Sequence, residues 1–357
     1  MPTRGPIRLA TRGSQLARRQ AGRVSDRLTA RRYDTELVGI STRGDEIRDE
    51  LIRDLGRKGA FVHSLDEAVL RGEADAAVHS LKDVPTEEHS ELIVAAVPER
   101  ASAGDVLVTP DGRSLEELDT GATVGTASTR RRAQLLAERP DLAVEPLRGN
   151  VDTRVEKLLA PTLQAEYQRL LDADGGDGDQ SDEEPAPETW VAERSTLERS
   201  ALEREVETEY DAIVLARAGL ERLGLADEVH TSDLPPGEFV PAPGQGALAI
   251  TAPAGELADR LRRSLDHPPT RVAVTTERTV LEALGGGCIA PIGVHATVRG
   301  PAVSVTAQVL SADGGTVLTE SRELPVEEHR DGAKELAAAL ADRGAKELIA
   351  AAAEDES

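Results

Sequence analysis

The sequence predicts an α/β protein of two similar lobes with a cleft between them, followed by a small α+β C-terminal domain. Three observations carry that expectation. A strand, a polar turn and a helix start occur at Leu9-Ala10-Thr11-Arg12-Gly13-Ser14 and again at Val124-Gly125-Thr126-Ala127-Ser128-Thr129, while Asp75-Ala76-Ala77-Val78 is echoed by Asp211-Ala212-Ile213-Val214. Two punctuated stretches, Pro98 to Gly104 and Phe239 to Ala247, suit crossings between lobes. From about His267 the pattern changes to helix, three strands, helix, the order of a small α+β unit. Lobe 1 is assigned residues 1–98 and 241–264, lobe 2 residues 104–240, and the C-terminal domain residues 268–357.

Each element has a local reason. Ile7 to Thr11 is a short apolar strand, and Arg12-Gly13-Ser14 turns it into a helix with Ser14 as N-cap. Ala17, Ala21, Val24 and Leu28 then recur every three to four residues, giving one apolar face. Glu36 to Ile40 is a second strand, and Phe61, Val62, Leu65, Ala68 and Val69 mark a second helix. Ala74 to Val78 and Leu92 to Val97 are further strands. In the second lobe, strands are expected at Thr123–Thr126, Val144–Leu147 and Asp211–Leu215, with Arg130 and Arg131 in a first helical turn. An acidic stretch from about 160 to 209 interrupts this lobe; its flanks look helical, and its Gly/Asp/Glu/Pro-rich centre cannot bury a core. It is expected to be a surface insertion without catalytic role. After the strand Ala247–Thr251, the last domain is assigned a helix at Arg271–Leu284, strands near 292–298, 302–310 and 316–323, and a final helix near 331–350.

Composition limits the function. The 357 residues carry a formal charge of −23, with five lysines and 2% aromatics. Such a surface repels nucleic-acid backbones and anionic membranes. It suits concentrated salt, where the screening length shrinks to a few ångströms, so a halophilic protein is expected. No run of apolar residues is long enough to span a bilayer, and Met1-Pro2-Thr3-Arg4 does not open a signal peptide. The single cysteine, Cys288, fits a reducing cytoplasm. A cytoplasmic monomer is the expectation.

Against this acidic background, arginine clusters are informative. Nine arginines and one acid lie between Met1 and Tyr33, and Arg130-Arg131-Arg132 is followed by Arg148 and Arg154. An acidic protein that concentrates arginine in this way is suited to a small polyanion, although Arg19, Arg23 and Arg27 fit the solvated face of a helix. The Arg12–Ser14 and Ala127–Thr129 turns place free backbone N–H groups at helix starts, an anion-binding arrangement. Between them lies His79-Ser80-Leu81-Lys82-Asp83-Val84-Pro85. In open α/β sheets ligands sit beyond the carboxyl ends of the strands, which puts Lys82 and Asp83 at the expected reaction centre. The bland alternative is an ordinary ion pair in a turn. Gly285-Gly286-Gly287 frames Cys288; a lone cysteine is most often a small buried hydrophobe, but one flanked by glycines on a loop is suited to covalent chemistry.

Taken together, eight motifs resemble the porphobilinogen deaminase (hydroxymethylbilane synthase) family. They are Leu9–Ser14, Thr42-Arg43-Gly44-Asp45, Lys58-Gly59-Ala60-Phe61, Val78–Pro85, Val124–Arg131, Leu147–Arg154, Pro243-Gly244-Gln245-Gly246-Ala247 and Gly286–Gly293. The resemblance covers nearly the whole chain outside the insertion. It implies two periplasmic-binding-protein-like lobes with a cleft, plus the small α+β domain. It also implies condensation of four porphobilinogens into a linear tetrapyrrole with loss of ammonia at each step. A dipyrromethane cofactor would be held by a thioether to Cys288. By the resemblance, Lys58, Ser80, Lys82, Asp83, Thr126, Ser128, Arg130 and Arg131 bind the cofactor, while Arg12, Ser14, Arg148, Arg154 and Arg222 bind substrate.

The chemistry agrees with the residue types. Each porphobilinogen carries an acetate and a propionate, and guanidinium forks suit carboxylates. Loss of ammonia leaves a cationic azafulvene, which a carboxylate in a water-poor cleft would stabilise. Asp83 matches the family's catalytic aspartate and would also relay protons; Asp45 and Asp105 are weaker rivals, expected to be turn residues. One departure is that Asp54 stands where the family often has a second lysine. Two rival readings are a bilobed polycarboxylate-binding protein, which leaves the glycine-framed Cys288 unexplained, and a nucleic-acid binder, which the charge and scarce aromatics oppose.

Overall fold

The structure is a computed structural model that describes residues 6–40, 60–85, 91–174, 185–287 and 290–355. In chain order, the first lobe contributes β1 (Ile7–Arg12), α1 (Gln15–Thr29), β2 (Thr35–Ile40), α2 (Ala60–Leu70), β3 (Ala76–Ser80), a 3-10 turn at Leu81–Asp83 and β4 (Leu92–Ala96). The second contributes β5 (Asp105–Thr109), β6 (Thr123–Gly125), α3 (Thr129–Glu138), β7 (Ala143–Glu145), α4 (Val151–Asp174), α5 (Pro187–Glu193), α6 (Thr196–Leu202), β8 (Ala212–Ala216), α7 (Arg217–Leu223) and β9 (His230–Leu234). The chain then returns through β10 (Leu248–Pro253) and α8 (Glu256–Leu265). It ends in α9 (Pro268–Leu284), β11 (Ile292–Arg299), β12 (Ala302–Leu310), β13 (Val317–Pro325), α10 (His329–Ala341) and α11 (Ala345–Asp355).

The two lobes are built alike. Their strand orders are β2-β1-β3-β10-β4 and β7-β6-β8-β5-β9. In each, three parallel strands are followed by an antiparallel strand supplied after a crossing: β10 pairs antiparallel with β3, and β5 with β8. The echo between Asp75 and Asp211 has a physical basis. Asp75 Oδ2 accepts from the Arg8 N–H at 2.8 Å, and Asp211 Oδ2 accepts from the Thr123 N–H at 2.7 Å. Each carboxylate thus satisfies a backbone donor at the start of the neighbouring strand. With Asp75 committed in this way, β3 starts at Ala76 and extends to Ser80, closer to the reaction-centre turn than the expected Ala74–Val78. The helix starts also correspond: Ser14 accepts from the Ala17 N–H and caps α1 as expected, and Ser128 accepts from the Arg131 N–H and caps α3 in the same way.

The crossings run side by side. Gly246, at φ +82°, lies so close to the first crossing that a Cβ would sit 2.5 Å from the Ser102 carbonyl oxygen. Only glycine tolerates both that dihedral and that approach. The C-terminal sheet, β11-β12-β13, is antiparallel, and its apolar face packs on α9 and α10 through Val280, Val294, Val305, Leu336 and Leu340. Gly293 of β11 abuts the backbone of Val240, and the Val294 N–H donates to the Pro241 carbonyl at 2.8 Å. The third domain is therefore seated on the return crossing.

Several expectations require correction. The final helix is two helices, because the chain turns at Gly344 with φ +94°, where a continuous helix cannot pass. Asp105 is the first residue of the fully buried strand β5, not a turn residue. The flanks of the insertion are helical, as expected, and they share a core: Ala160, Leu163, Leu170, Trp190 and Ala201 form one cluster. Trp190 stacks with Tyr167 at 6.1 Å and lies 4.5 Å beneath the Arg194 guanidinium. Of the expected insertion centre, Asp172 to Glu188, residues 175–184 lie outside the described residues, as do Thr42–Asp45, Asp54, Lys58 and Cys288.

Candidate active site

Strand β3 ends at Ser80, and the chain closes a single 3-10 turn through the Val84 N–H to the Leu81 carbonyl at 3.1 Å. Leu81 is buried with Val97, Ala247, Ala249 and Val274, which fixes the base of the turn. Lys82 and Asp83 are left on its outside: Asp83 is exposed and Lys82 half-buried. Burial pulls the Lys82 ammonium below its ordinary pKa; Asp83 opposes that shift, Arg131 adds to it, Asp105 opposes and Arg130 adds. Lys82 of the first lobe therefore lies within electrostatic reach of Arg130 and Arg131 of the second. The two lobes converge here.

Facing it is a buried charge cluster. Asp105 is 1% exposed, Arg130 3% and Arg131 5%. Arg130 Nη2 donates to Asp105 Oδ2 and Arg131 Nη2 to Asp105 Oδ1, both at 2.7 Å. Gln245, from the return crossing, donates to Asp105 Oδ1 at 2.8 Å and to the Ala103 carbonyl at 2.6 Å. Arg130 Nη1 also donates to Gln134 and the Val240 carbonyl, and Arg131 Nη1 donates to the Val214 carbonyl. Burial alone would push the Asp105 carboxyl up, but Arg130 and Arg131 outweigh it and hold it well below the usual carboxylate range. Two cations share one anion, so the cluster keeps a net positive charge.

The surrounding arginines add to that excess. Burial pulls Arg154 down to about 10, and Arg131 contributes to the shift. Burial also pulls Arg222 down to about 10, with Arg23 adding and Glu221 opposing. Arg222 Nη2 donates to the Gly246 carbonyl at 2.6 Å. The Nε atoms of Arg130, Arg131 and Arg222 are buried without a hydrogen-bond partner. An unsatisfied buried donor costs about 1–3 kcal/mol, more when charged. A carboxylate ligand would relieve both the orphaned N–H groups and the mutual repulsion, so these residues fit a polycarboxylate such as dipyrromethane.

The remaining expected residues are placed unevenly. Thr126 is buried at the end of β6, and its Oγ1 accepts from the Ser128 N–H at 3.2 Å. Both residues belong to the Arg130–Arg131 helix start. Arg12 and Ser14 are half-buried at the β1–α1 turn. Arg154 Nε is committed to the Gly149 carbonyl at 2.9 Å. Arg148 is exposed, and among the described residues no hydrogen bond or ion pair ties it to the cluster. Arg19 is exposed, as expected of a solvated helix face, yet its Nη1 reaches the Arg222 carbonyl at 3.5 Å across the lobes.

Sequence reasoning missed Asp105 as the common counter-ion, Gln245 as its neutral partner, and Glu277. Glu277 is fully buried, binding Arg100 at 2.6 Å and 3.1 Å, the Gly244 N–H at 2.7 Å and the Ala296 N–H at 2.8 Å. It joins both crossings to the third domain. A signal existed for Asp105: it is a lone acid heading the wholly apolar run Val106-Leu107-Val108.

The family model for the porphobilinogen deaminase dipyrromethane cofactor-binding domain matches residues 7–171 and 197–258, and that for the C-terminal domain matches residues 272–342. The chain belongs to the porphobilinogen deaminase family. A probable porphobilinogen deaminase of the halophile Halobacterium salinarum is 51% identical, covering 96% of this chain and 97% of that one. The porphobilinogen deaminase of Acidothermus cellulolyticus is 38% identical, covering 97% and 91%. The methionine-binding protein MetQ matches with 12% identity and a TM-score of 0.35, covering 72% of this chain and 89% of that one, a likeness too slight to bear weight. Membership makes the chain a transferase of tetrapyrrole biosynthesis that uses a dipyrromethane cofactor. Residues 172–196 fall between the two matched segments, inside the acidic stretch about 160–209. The halophilic relative accords with the high-salt reading of the acidic surface.

Proposed function

We propose that this chain condenses four porphobilinogens head to tail into hydroxymethylbilane at the Lys82–Asp83 turn, as a cytoplasmic monomer. The carrying observation is the return crossing that joins the turn to the cluster: Gly244 abuts the Lys82 backbone, and the adjacent Gln245 donates to Asp105, the shared partner of Arg130 and Arg131. Arg130 and Arg131, already oriented by Asp105, present their Nε–H groups to cofactor carboxylates. Lys82 adds a third cation, and Ser80, Thr126 and Ser128 supply hydroxyls at the two helix-start turns. Arg12, Ser14, Arg148, Arg154 and Arg222 hold substrate acetate and propionate groups, with Arg222 the best placed by its buried, orphaned donor. The dipyrromethane, when bound through Cys288, supplies the pyrrole α-carbon that accepts the first ring and keeps the growing chain tethered. Lys58 would assist in binding the cofactor. A division at residues 98–104, 241 and 268 follows the crossings.

Asp83 is the one carboxylate of the turn and is not neutralised by a partner in the buried cluster. Its role is to hold the proton given to the departing ammonia, stabilise the positive charge left on the substrate, and take the α-proton after coupling. The test combines two measurements. Intact mass of the purified protein should exceed the sequence mass by one dipyrromethane, and Asp83→Asn should keep the fold and the added mass while losing most turnover. An unmodified mass with turnover intact would overturn the Cys288 assignment. Near-normal turnover in Asp83→Asn would place the catalytic carboxylate elsewhere.

A further inference from the structure

The third domain reaches the backbone of the reaction-centre turn through the Arg278 side chain. Arg278 lies on α9, one helical turn after Val274, so the two residues share a face. Val274 packs in the same cluster as Leu81. Arg278 Nη1 donates to the Val84 carbonyl at 2.7 Å and to the Leu81 carbonyl at 3.4 Å, and Arg278 Nη2 donates to the Pro85 carbonyl at 2.5 Å. Its fork therefore gathers three carbonyls that flank Lys82 and Asp83. The Leu81 N–H is pinned from the other side, to the Ala247 carbonyl at 3.0 Å.

We infer that Arg278 is a positioning residue that fixes the Asp83 carboxylate through the backbone of its turn. The reasoning rests on the assignment of Asp83 given above. A 3-10 turn of three residues has one closing hydrogen bond and poor intrinsic stability. The Leu81 carbonyl already accepts the closing bond, but without Arg278 the Val84 and Pro85 carbonyls just after the turn would be left to water, and the turn would be free to rock. A guanidinium is suited to them because its donors are planar and fixed, and its charge complements the carbonyl end of the turn. Neighbouring Glu277 holds the same helix to both crossings, so the clamp is anchored to the frame of the molecule. The C-terminal domain thereby sets the geometry of a residue that belongs to the first lobe.

The experiment uses the full-length, cofactor-loaded protein. Arg278→Gln should remain folded and keep the dipyrromethane mass, with kcat lower by roughly 10- to 100-fold and KM within about two-fold, the signature of a misplaced catalytic group. Arg278→Lys, which keeps the charge but lacks the fork, should recover part of kcat. In an Asp83→Asn background, Arg278→Gln should add less than its own single loss, because the two residues act as one unit. A loaded, folded Arg278→Gln with unchanged kcat overturns the inference. So does a loss of activity that matches a loss of cofactor mass, or full additivity in the double variant. If Arg278→Gln does not fold, Arg278→Lys carries the test, and wild-type kcat in that variant overturns the three-carbonyl role. A normal Asp83→Asn enzyme would instead refute the assignment of Asp83 itself, which keeps the two failures apart.

Discussion

Replacing Asp105 by asparagine removes the anion shared by two buried guanidiniums while keeping the side-chain volume. The amide oxygen can still accept from one arginine. The amide nitrogen then faces the other arginine's Nη2 at the present 2.7 Å separation, donor against donor. At an effective dielectric of 20, two unit charges about 4 Å apart interact by about 4 kcal/mol. Two such attractions are lost and the Arg130–Arg131 repulsion is uncovered, against the desolvation of one carboxylate that no longer has to be met. Breaking a buried pair typically costs about 3–5 kcal/mol. With an unfolding entropy of about 2.1 cal/mol/K per residue, a chain of 357 residues converts that into a fall in Tm of about 4–7 °C if it melts as one unit. The fall is larger if the second lobe melts alone.

The pH dependence follows from the sign of the shift. The folded carboxyl titrates below its unfolded value of about 3.9, so its contribution is complete above that pH and disappears as the pH falls through the folded pKa. Scanning calorimetry should show a constant deficit for Asp105→Asn from neutral pH down to about 4, shrinking below it. Molar salt should leave the deficit in place, because a buried pair is screened little. A variant that melts within about 1 °C of wild type at neutral pH would refute the idea that Asp105 neutralises the arginine pair.

Gly246→Ala would place a Cβ 2.5 Å from the Ser102 carbonyl oxygen and 2.7 Å from the Ala101 carbonyl oxygen, at φ +82°; a loss of about 3 kcal/mol or more is expected, read as a lower Tm, and an unshifted melt would mean the crossings are not in contact. Stability should rise with potassium chloride concentration up to the molar range, since the −23 charge is self-repelling when unscreened; full stability in salt-free buffer would count against the high-salt reading.

The local devices of this protein were legible because they are made by neighbours in sequence. Ser14 and Ser128 cap helices three residues ahead, and the apolar face of α1 follows from spacing alone. The paired Asp-Ala strand starts were visible as a repeat, and the structure adds the reason in Asp75 and Asp211. Polar edge strand β9 left no alternating pattern to read, and the break at Gly344 was masked by alanine-rich helices on either side.

The sequence by itself determined the α/β class, the two lobes, the family and the clustering of arginines in an otherwise acidic chain. These depend on periodicity, capping and short motifs, all local properties of the chain. Only the tertiary structure decided what those arginines are bonded to. Asp105 lies far from Arg130 and Arg131 along the chain, and Arg278 farther still from Asp83, so no spacing rule joins them. The pairings arise because β5 is inserted beside β8 after a crossing, and because α9 is seated on the return crossing. Burial then makes each pairing obligatory, since a charge or a carbonyl withdrawn from water must find its partner wherever the fold brings one.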